Sequence, residues 1–404
     1  MQYGWVGKIL KIDLTEKDIS TIETSKYIPD YIGGRGISIK IAWDMLKAGT
    51  GPYDPDNIII FMTGPLAGTL APTSGRGIVS SISPRVYPDP WFTRSGFGGY
   101  WAPELKYAGY DGLIVTGRAE KPVYLWICDG NVSIKDARNL WGKGTMDTQR
   151  EIKEHIGEDV QVLCIGPAGE NLVRSATIQH NIGNASGNAG FGAVMGSKRL
   201  KAVAIKGTGG VEVSDPIKFL ETCKYATDQV KSGMNIAGMI DYQIPQPNTI
   251  ACSAACPSNC EWCKARKNIP AKIGTGSLTA IIHCLDYTFS KLNWNITEYD
   301  RPEVPDIKTK ALPGLGGIDI HYLVNDLGLN EWEYMSFYPW FEVFIQNGIK
   351  EVGGLELDID NPEFWFNFFK MIVNREGIGD IFAEGVMRAA DRLEDLGVPK
   401  KKVE

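Results

Sequence analysis

The sequence lacks the features that assign many chains to a class at once. None of its 404 residues falls in a run approaching the roughly 20 consecutive apolar residues of a membrane-spanning helix. Basic residues are not in excess, since 42 Lys and Arg stand against 48 Asp and Glu, which argues against a nucleic-acid-binding face. The N-terminal segment MQYGWVGKIL has neither the apolar run nor the cleavage site of a secretory signal, so we expect a cytoplasmic protein.

Glycine and tryptophan, by contrast, are abundant, with 46 and 11 residues. The chain is otherwise 43% hydrophobic and 22% charged, which is ordinary for a globular protein. Its length suggests about two or three domains. Glycine at this density indicates many tight turns, or a backbone that packs closely against something large and polar.

The cysteines form two groups. Four are scattered, namely Cys128, Cys164, Cys223 and Cys284, and we interpret them as free buried thiols. The other four crowd into ACSAACPSNCEWC, as Cys252, Cys256, Cys260 and Cys263. A disulfide knot is not expected in a large chain without an export signal. The crowded group therefore predicts a metal or iron–sulfur site.

The first half of the chain has the pattern of β structure. Short β-branched or aromatic runs recur between turn residues, as VGKILKIDL, NIIIFMTG, GIVSSIS, GLIVTG, PVYLWIC, VQVLCIG and KAVAIKG. Few helical patterns separate these runs, the clearest being residues 38–47 and MDTQREIKEHIG. We therefore expect largely antiparallel sheets and not a doubly wound parallel sheet.

The pattern becomes helical after residue 210. Asp215 followed by Pro216 marks a helix start, because an N-cap side chain then precedes proline at the first helical position. The aromatic runs YMSFYPWFEVF and FWFNFF have the spacing of helix residues that face a core. The sequence thus predicts an α+β protein, with a β-rich domain over residues 1–210 and a mostly helical domain over residues 211–404.

Three glycine-rich segments of the β half are candidates for a phosphate-binding site. They are LAPTSGRGIVSSISP with Arg76, TRSGFGGYWAPELKYAG with Gly96 and Gly98, and GNASGNAGFGAVMGSK with Gly187. Glycines before a helix expose N–H groups that suit phosphate, although each segment alone is also typical of turns. Together with the cysteine group, the segments suggest an anionic organic cofactor beside an electron-transfer site.

Several of these segments resemble the tungsten-containing aldehyde:ferredoxin oxidoreductase family. The similarity rests on IGGRGISIKIAW, FMTGPLAGTLAPTSGR, GGYWAPELKYAGYDGLIVTG, IGPAGENLV and GFGAVMGSKRLKAVAIKG, then on CPSNC and NREGIGDIFAEG. The resemblance implies two pseudo-symmetric β-sheets that form a base for a tungsten bis-pyranopterin cofactor. It also implies a helical part and a [4Fe–4S] cluster close to one pterin. Molybdenum would take the same ligands, so the metal stays open.

The resemblance also implies roles for individual residues. Arg76 would lie between pterin and cluster, where a guanidinium suits phosphate or pterin oxygens. Gly96 and Gly98 would approach a pterin phosphate and its bridging Mg²⁺, and Asn184 and Ala185 would do the same from the other half. The remaining expected cofactor contacts are Gly99, Gly187, Asn325, Leu329 and Asn330.

The chain departs from the family pattern at both of its later motifs. The family spaces its cluster ligands as C-x-x-C-x-x-x-C, whereas three residues separate Cys252 from Cys256 here. Cys263 or a thiolate from a partner chain could supply the fourth ligand. The family motif D-x-x-G-L-D appears as NDLGLN, with amides at Asn325 and Asn330, so hydrogen bonds to a pterin there would be neutral. Catalytic residues stay unknown, and we expect His283 and His321 to be structural.

These features lead to one main functional hypothesis and two alternatives. The first is oxidation of an aldehyde to a carboxylate, with electrons passing through the cluster to ferredoxin. The second is reduction of an acyl- or aryl-CoA in a complex like the tungsten-dependent benzoyl-CoA reductase, with iron–sulfur or flavin subunits. The third is a cofactor-binding electron-transfer subunit. Because one helical region alone would have to cover the cofactor, we expect an oligomer or a hetero-complex.

Overall fold

The structure is a computed structural model that describes residues 3–181, 183–233, 248–249, 251, 253–257, 264–270, 277–282, 316–392 and 394–398. The strands are β1 (Lys8–Asp13), β2 (Asp18–Glu23), β3 (Ile59–Met62), β4 (Gly77–Ile82), β5 (Phe92–Phe97), β6 (Gly112–Thr116), β7 (Val123–Cys128), β8 (Asn131–Asp136), β9 (Gln161–Cys164), β10 (Ile178–His180), β11 (Asn184–Ser186), β12 (Leu200–Lys206), β13 (Asn248–Thr249), β14 (Lys264–Pro270), β15 (Ser277–Ile282), β16 (Glu351–Val352) and β17 (Leu355–Glu356). The helices are α1 (Gly34–Met45), α2 (Trp101–Tyr107), α3 (Thr145–Ile156), α4 (Pro167–Glu170), α5 (Phe191–Ser197), α6 (Pro216–Gly233), α7 (Gly316–Leu327), α8 (Glu331–Met335), α9 (Phe337–Gln346), α10 (Pro362–Asn374), α11 (Ile378–Ala383) and α12 (Val386–Asp391), with 3₁₀ turns at Thr24–Lys26 and Glu394–Leu396.

The β-rich half is an internal duplication. The first sheet has the strand order β2-β1-β6-β3-β4-β5, and the second has β8-β7-β12-β9-β10-β11. The second order is the first with each strand number raised by six. In each half a helix follows the first hairpin (α1 and α3), and another leads into the last strand (α2 and α5). The predicted pair of pseudo-symmetric sheets is thus confirmed.

Each sheet contains one parallel strand pair. Strand β6 runs parallel to β1, and β12 runs parallel to β7, whereas the other pairs of both sheets are antiparallel. The parallel pairs arise because the last strand of each half returns beside its first strand after a long crossover. The sheets are therefore mixed, which refines the prediction of largely antiparallel pairing.

The two sheets share one hydrophobic core. Alternate side chains of β1, β3 and β6 and of β7, β9 and β12 meet there with side chains of α2 and α5. On its other face the first sheet packs against α1, and the second packs against α3. Because both faces of each sheet are covered, strands such as β1 (KILKID) carry apolar residues on both faces.

The helical half has an aromatic core. Phe337, Phe341, Phe344, Trp365 and Phe368 are fully or almost fully buried, and their rings pack in edge and stacked pairs. The aromatic runs are thus core residues, as predicted. The side chain of Asp215 accepts a hydrogen bond from Lys218 N at 3.0 Å, which is the predicted cap of α6.

This half also contains strands that the sequence pattern did not indicate. Strands β13, β14 and β15 form a small antiparallel sheet, and β16 and β17 form a hairpin. The part remains mostly helical, and the α+β fold class is confirmed. The domain boundary near residue 210 stays a prediction.

Candidate functional site

A cavity of about 530 Å³ lies where the two halves of the duplication meet α7 and α8. Strand β5 of the first sheet and strand β11 of the second sheet, which contact each other, both contribute to its wall. They are equivalent edge strands of the two halves. Nine of the ten cofactor contacts expected from the sequence line this cavity, namely Arg76, Gly96, Gly98, Asn184, Ala185, Gly187, Asn325, Leu329 and Asn330.

Strand β5 presents a wall without bulky side chains near its end. Arg94, Ser95 and Gly96 of β5 line the cavity together with Gly98, which follows the strand. The position of a Cβ at Gly96 would be 3.0 Å from Arg76 Nη2. A side chain at residue 96 would therefore crowd the guanidinium of Arg76, and glycine leaves room for it.

The equivalent wall in the second half is formed by β11 and the residue after it. Asn184, Ala185 and Gly187 line the cavity. A Cβ at Gly187 would have no neighbour closer than 4.0 Å. The space next to Gly187 is therefore open, and its backbone can approach a bound group directly.

The charge of the cavity wall is predominantly positive. Arg76, Arg85 and Arg94 line it, and Glu331 is the acidic residue in the same wall. Arg85 is neutralised by Glu333, with Nε 2.8 Å from Oε2. In the described part of the chain, the guanidinium groups of Arg76 and Arg94 have neither an ion pair nor a hydrogen bond. Two free guanidinium groups in one cavity favour an anionic ligand.

His180 joins the two halves beside this cavity. Its Nδ1 donates to Val162 O at 2.9 Å, and its Nε2 accepts from Tyr100 N at 3.0 Å. Gly99 has φ +83°, and a Cβ there would lie 2.2 Å from His180 Cδ2, so this approach requires glycine. Burial lowers the pKa of His180 to about 4, so the imidazole is neutral.

A hydrogen-bonded network connects β10 with α7. Gln179 Nε2 donates to Thr177 Oγ1 and to Asn325 Oδ1, both at 3.1 Å. Asn325 Nδ2 in turn donates to His321 O at 2.9 Å. The Nδ1 atom of His321 lies 3.0 Å from Glu331 Oε1. His321 thus supports a cavity-lining carboxylate and is not isolated in the core.

Asn330 acts locally at the start of α8. Its Oδ1 accepts a hydrogen bond from Trp332 N at 3.1 Å, which is an N-cap interaction. Leu329, one residue earlier, is buried and belongs to the aromatic core of the helical half. This segment therefore fixes the position at which α8 enters the cavity wall.

The cysteine-bearing segment contacts the first glycine-rich wall. Gly99, the tenth expected contact, pairs with Ser253 in a short bridge, and its carbonyl accepts from Ala254 N at 3.0 Å. Thr73 N donates to Ala255 O at 2.9 Å, and a Cβ at Gly75 would lie 2.5 Å from Ala254 O. Ser253 itself lines the cavity. Half-buried Cys256 follows directly.

Some of the remaining predictions for cysteine and histidine residues concern described residues, and others do not. Cys164 and Cys223 are free and buried, as expected, and burial raises the pKa of Cys164 to about 12. Cys128 is free but half-buried. Cys252, Cys260, Cys263, Cys284 and His283 lie outside the described residues. The cluster ligands therefore stay predictions, as do the cofactor contacts.

Several cavity or near-cavity residues escaped the sequence interpretation, among them Arg94, Gln179, His180 and Glu331. Gln179 and His180 share a short polar strand, IQH, which is fully buried. Buried polar residues require specific partners, but the burial of this strand is visible only in the structure, so the sequence carried no local signal for them.

Comparison with known proteins identifies the family. The family model described as "Aldehyde ferredoxin oxidoreductase, N-terminal domain" matches residues 9–207, and that described as "Aldehyde ferredoxin oxidoreductase, domains 2 & 3" matches residues 316–404. The chain belongs to the aldehyde ferredoxin oxidoreductase family. This confirms the resemblance that the sequence motifs indicated.

The chain aligns with different shares of the length of its relatives, and with well under half of some of them. The chain is 39% identical over its whole length to a tungsten-containing aldehyde ferredoxin oxidoreductase of Pyrococcus furiosus, of which the alignment covers 70%. It is 42% identical to the enzyme of the same description from Pyrococcus abyssi, over 57% of the chain and only 38% of that protein. An "Aliphatic sulfonate oxidoreductase, WOR-like subunit" of P. furiosus is 29% identical over 98% of the chain and 68% of its own length.

A solved structure has the same fold. It belongs to the active-site complex BamBC of benzoyl coenzyme A reductase bound to 1,5-dienoyl-CoA. The TM-score is 0.80 at 29% identity, and the match covers 98% of this chain and 65% of that chain. Among the described residues of our chain, no helix is both long and apolar enough to cross a bilayer.

Proposed function

We propose that the chain is a tungsten–pterin oxidoreductase that oxidises an aldehyde to a carboxylate and transfers the electrons through a [4Fe–4S] cluster to ferredoxin. The main support is the cavity between the duplicated halves, which is lined by glycine-containing segments of both halves and by two arginines whose guanidinium groups are unpaired in the described part of the chain. The family membership and the names of the relatives support the same chemistry.

The residues present fit an anionic cofactor with two similar ends. Gly96 and Gly98 form one wall without side chains, and Gly187 forms the other, where a Cβ would find open space. Arg76 and Arg94 can neutralise phosphate groups. Under this proposal the glycines of the two walls would hold the phosphate groups of two pterins with their Mg²⁺, and Asn325, Leu329 and Asn330 would contribute contacts to the pterins.

The bound tungsten would supply the two-electron chemistry, while the protein would bind and orient the cofactor and the substrate. Oxidation of an aldehyde with water as the oxygen source gives a carboxylate, two electrons that the metal would accept, and protons, so a base near the cavity is required. Glu331 is our candidate, because it lines the cavity and is held by His321 at 3.0 Å. A carboxylate oriented by an imidazole is suited to accepting a proton and passing it on.

The electron route rests on the cysteine segment. Cys252, Cys256, Cys260 and Cys263 are the proposed cluster ligands, with Cys263 replaceable by a partner's thiolate. The contact of residues 253–255 with Gly99, Thr73 and Gly75 supports a cluster close to the cofactor, because it holds the neighbouring Cys256 beside the same wall. Arg76, which lines the cavity near this contact, suits the space between the two groups.

A second candidate is reduction of an acyl- or aryl-CoA in a multi-subunit complex. The similarity to a chain of the BamBC complex favours it, and such a complex would also provide the partner that we expect. A cofactor-binding subunit whose catalytic part lies on another chain remains the third. A cytoplasmic location stays the prediction of the sequence.

The experiment is anaerobic purification of the protein with its co-purifying chains, followed by metal and pterin analysis. We expect two pyranopterins per tungsten and dye-linked oxidation of aldehydes. CoA-dependent turnover with a flavin-containing partner chain would favour the second candidate instead. One pterin per metal would contradict the cofactor assignment, whereas molybdenum in place of tungsten would change only the identity of the metal.

Two glycine variants test the binding wall directly. Gly187→Val would place a branched side chain in the open space of the second wall, so we expect loss of most bound pterin. Gly210→Val is the matched control, because a Cβ at Gly210 also has open space but lies outside the cavity. Equal pterin content in both variants would show that the second wall does not hold the cofactor.

A further inference from the structure

Two buried polar atoms lack a hydrogen-bond partner in the described part of the chain. They are Gln179 Oε1 and Ser186 Oγ, and both belong to the β10–β11 hairpin of the cavity region. Buried polar groups almost always have partners, because leaving one unpaired costs about 1–3 kcal/mol. An unpaired atom beside a ligand-sized cavity therefore points to a partner on the ligand.

The orientation of the Gln179 amide is fixed by its surroundings. Asn325 Nδ2 donates to the main-chain carbonyl of His321, so the Oδ1 of Asn325 must face Gln179. An amide oxygen can only accept a hydrogen bond, so the group of Gln179 that lies 3.1 Å from it must be the Nε2 donor. The amide oxygen of Gln179 is consequently the atom that is left over.

Gln179 differs from Ser186 in its access to the cavity. Gln179 lines the cavity, whereas Ser186 lies between two lining residues, Ala185 and Gly187, without lining it. A serine hydroxyl can also rotate toward a different partner, but the Gln179 amide cannot turn over without losing both bonds of its Nε2. Gln179 is therefore the informative residue.

The chemistry of an amide oxygen limits what it can recognise. It accepts a hydrogen bond and repels a second acceptor, so it does not suit a phosphate or carboxylate oxygen. The arginines elsewhere in the same wall, Arg76 and Arg94, suit those anions instead. The cavity thus has a cationic part and a separate acceptor for an N–H group.

We propose that Gln179 is a ligand-recognition residue whose Oε1 accepts a hydrogen bond from a ring or amino N–H of the heterocycle bound in this cavity. Thr177 and Asn325 position its amide for this contact. The inference rests on the proposed function, in which the heterocycle is a pterin with N–H donors on its pyrimidine ring. It assigns the recognition of that ring to β10.

The test compares two buried glutamines in the loaded protein. Gln179→Met removes the unpaired oxygen, and Gln149→Met is the matched control. Gln149 is also buried, but its Oε1 accepts from Asn181 N at 2.7 Å and it lies outside the cavity. We expect pterin release to be about five- to tenfold faster in Gln179→Met than in the wild type and in Gln149→Met. The readout is pterin fluorescence after gel filtration, with the thermal midpoint of loaded and cofactor-free protein measured in parallel.

A second variant separates ligand contact from internal support. Gln179→Glu keeps an acceptor oxygen but loses the Nε2 donor, so we expect it to retain pterin nearly as well as the wild type, although its cofactor-free form is destabilised. Wild-type release rates in Gln179→Met, or equal rates for the Met and Glu variants, would overturn the inference. Absence of pterin from the wild type would overturn the proposed function itself, and with it this inference.

Discussion

At the scale of single residues, the structure gives a reason for the amide at position 325. Asn325 must accept from Gln179 and donate to the carbonyl of His321, and only an amide can do both. Asn330 has a simpler task, because its Oδ1 only accepts from Trp332 N. The two positions at which this chain has Asn in place of the family's Asp therefore have different roles.

This difference predicts that replacing each Asn by the family's Asp lowers the free energy of unfolding by unequal amounts. Asn325→Asp would place a charged oxygen against the carbonyl of His321 in a buried site, so we expect it to lower the free energy of unfolding by about 1–3 kcal/mol. Asn330→Asp keeps the N-cap acceptor, so we expect a change below about 1 kcal/mol. Denaturant unfolding of both variants measures the difference. Equal losses would mean that the network around Asn325 does not determine its identity.

The candidate site could be predicted residue by residue only where the motif was visible. The glycines and Arg76 carry a local signal, since backbone approach and phosphate binding favour those residue types. Gln179 and Glu331 carry none, because Gln179 bonds to Asn325, 146 residues further along the chain, and Glu331 pairs with His321 on the neighbouring helix α7. Such pairings depend on tertiary structure and not on local pattern.

At the scale of secondary structure, the seven apolar runs named from the sequence all contain strands of the two sheets. The strands of these two sheets that escaped prediction, β2, β5, β8, β10 and β11, are polar, glycine-containing or only three residues long. They form because their neighbours provide hydrogen-bonding partners, which outweighs their weak intrinsic preference. Two of them, β5 and β11, are the cavity walls, so the pattern was weakest where the site lies.

The protonation of His180, which bonds to Tyr100 N in the first half and to Val162 O in the second, can be tested. Burial lowers its pKa to about 4 from an ordinary 6.5, so the unfolded chain takes up this proton before the folded chain does. The contribution of His180 to stability is therefore present above pH 6.5 and is lost as the pH falls from about 6.5 to about 4, by a total of about 3 kcal/mol.

The variant His180→Asn should remove this part of the pH dependence. It can still donate to Val162 O but loses the acceptor for Tyr100 N, so we expect lower stability at pH 7 and a smaller loss between pH 7 and pH 4. His155→Asn is the control, because His155 is exposed on α3 and should leave the wild-type slope unchanged. Unfolding at a series of pH values gives the slopes. A slope for His180→Asn that matches the wild type would refute the assignment of this proton uptake.

At the scale of the whole molecule, the site is assembled from three distant parts of the chain. The duplicated sheets provide both walls, α7 and α8 border them, and residues 253–257 bring Cys256 next to the first wall. The duplication and the helical part were accessible from sequence through the family motifs. The docking of the cysteine segment on Gly75 and Gly99 was not, because it depends on close packing against glycines that the local sequence assigns to turns.

This docking leads to the last prediction, which concerns Cys256. If the cysteine segment holds an iron–sulfur cluster beside the cavity, Cys256→Ser should remove its absorbance near about 400 nm or leave a cluster with less iron. The matched control is Cys223→Ser, because Cys223 is a free, buried cysteine on α6, away from this segment. We expect the control to keep its full iron content and to lose only a little stability. Iron content and visible spectra of the anaerobically purified variants provide the measurement. Retention of all iron in Cys256→Ser would exclude Cys256 as a ligand, while loss of iron in both variants would indicate a general effect of folding and would count against the assignment.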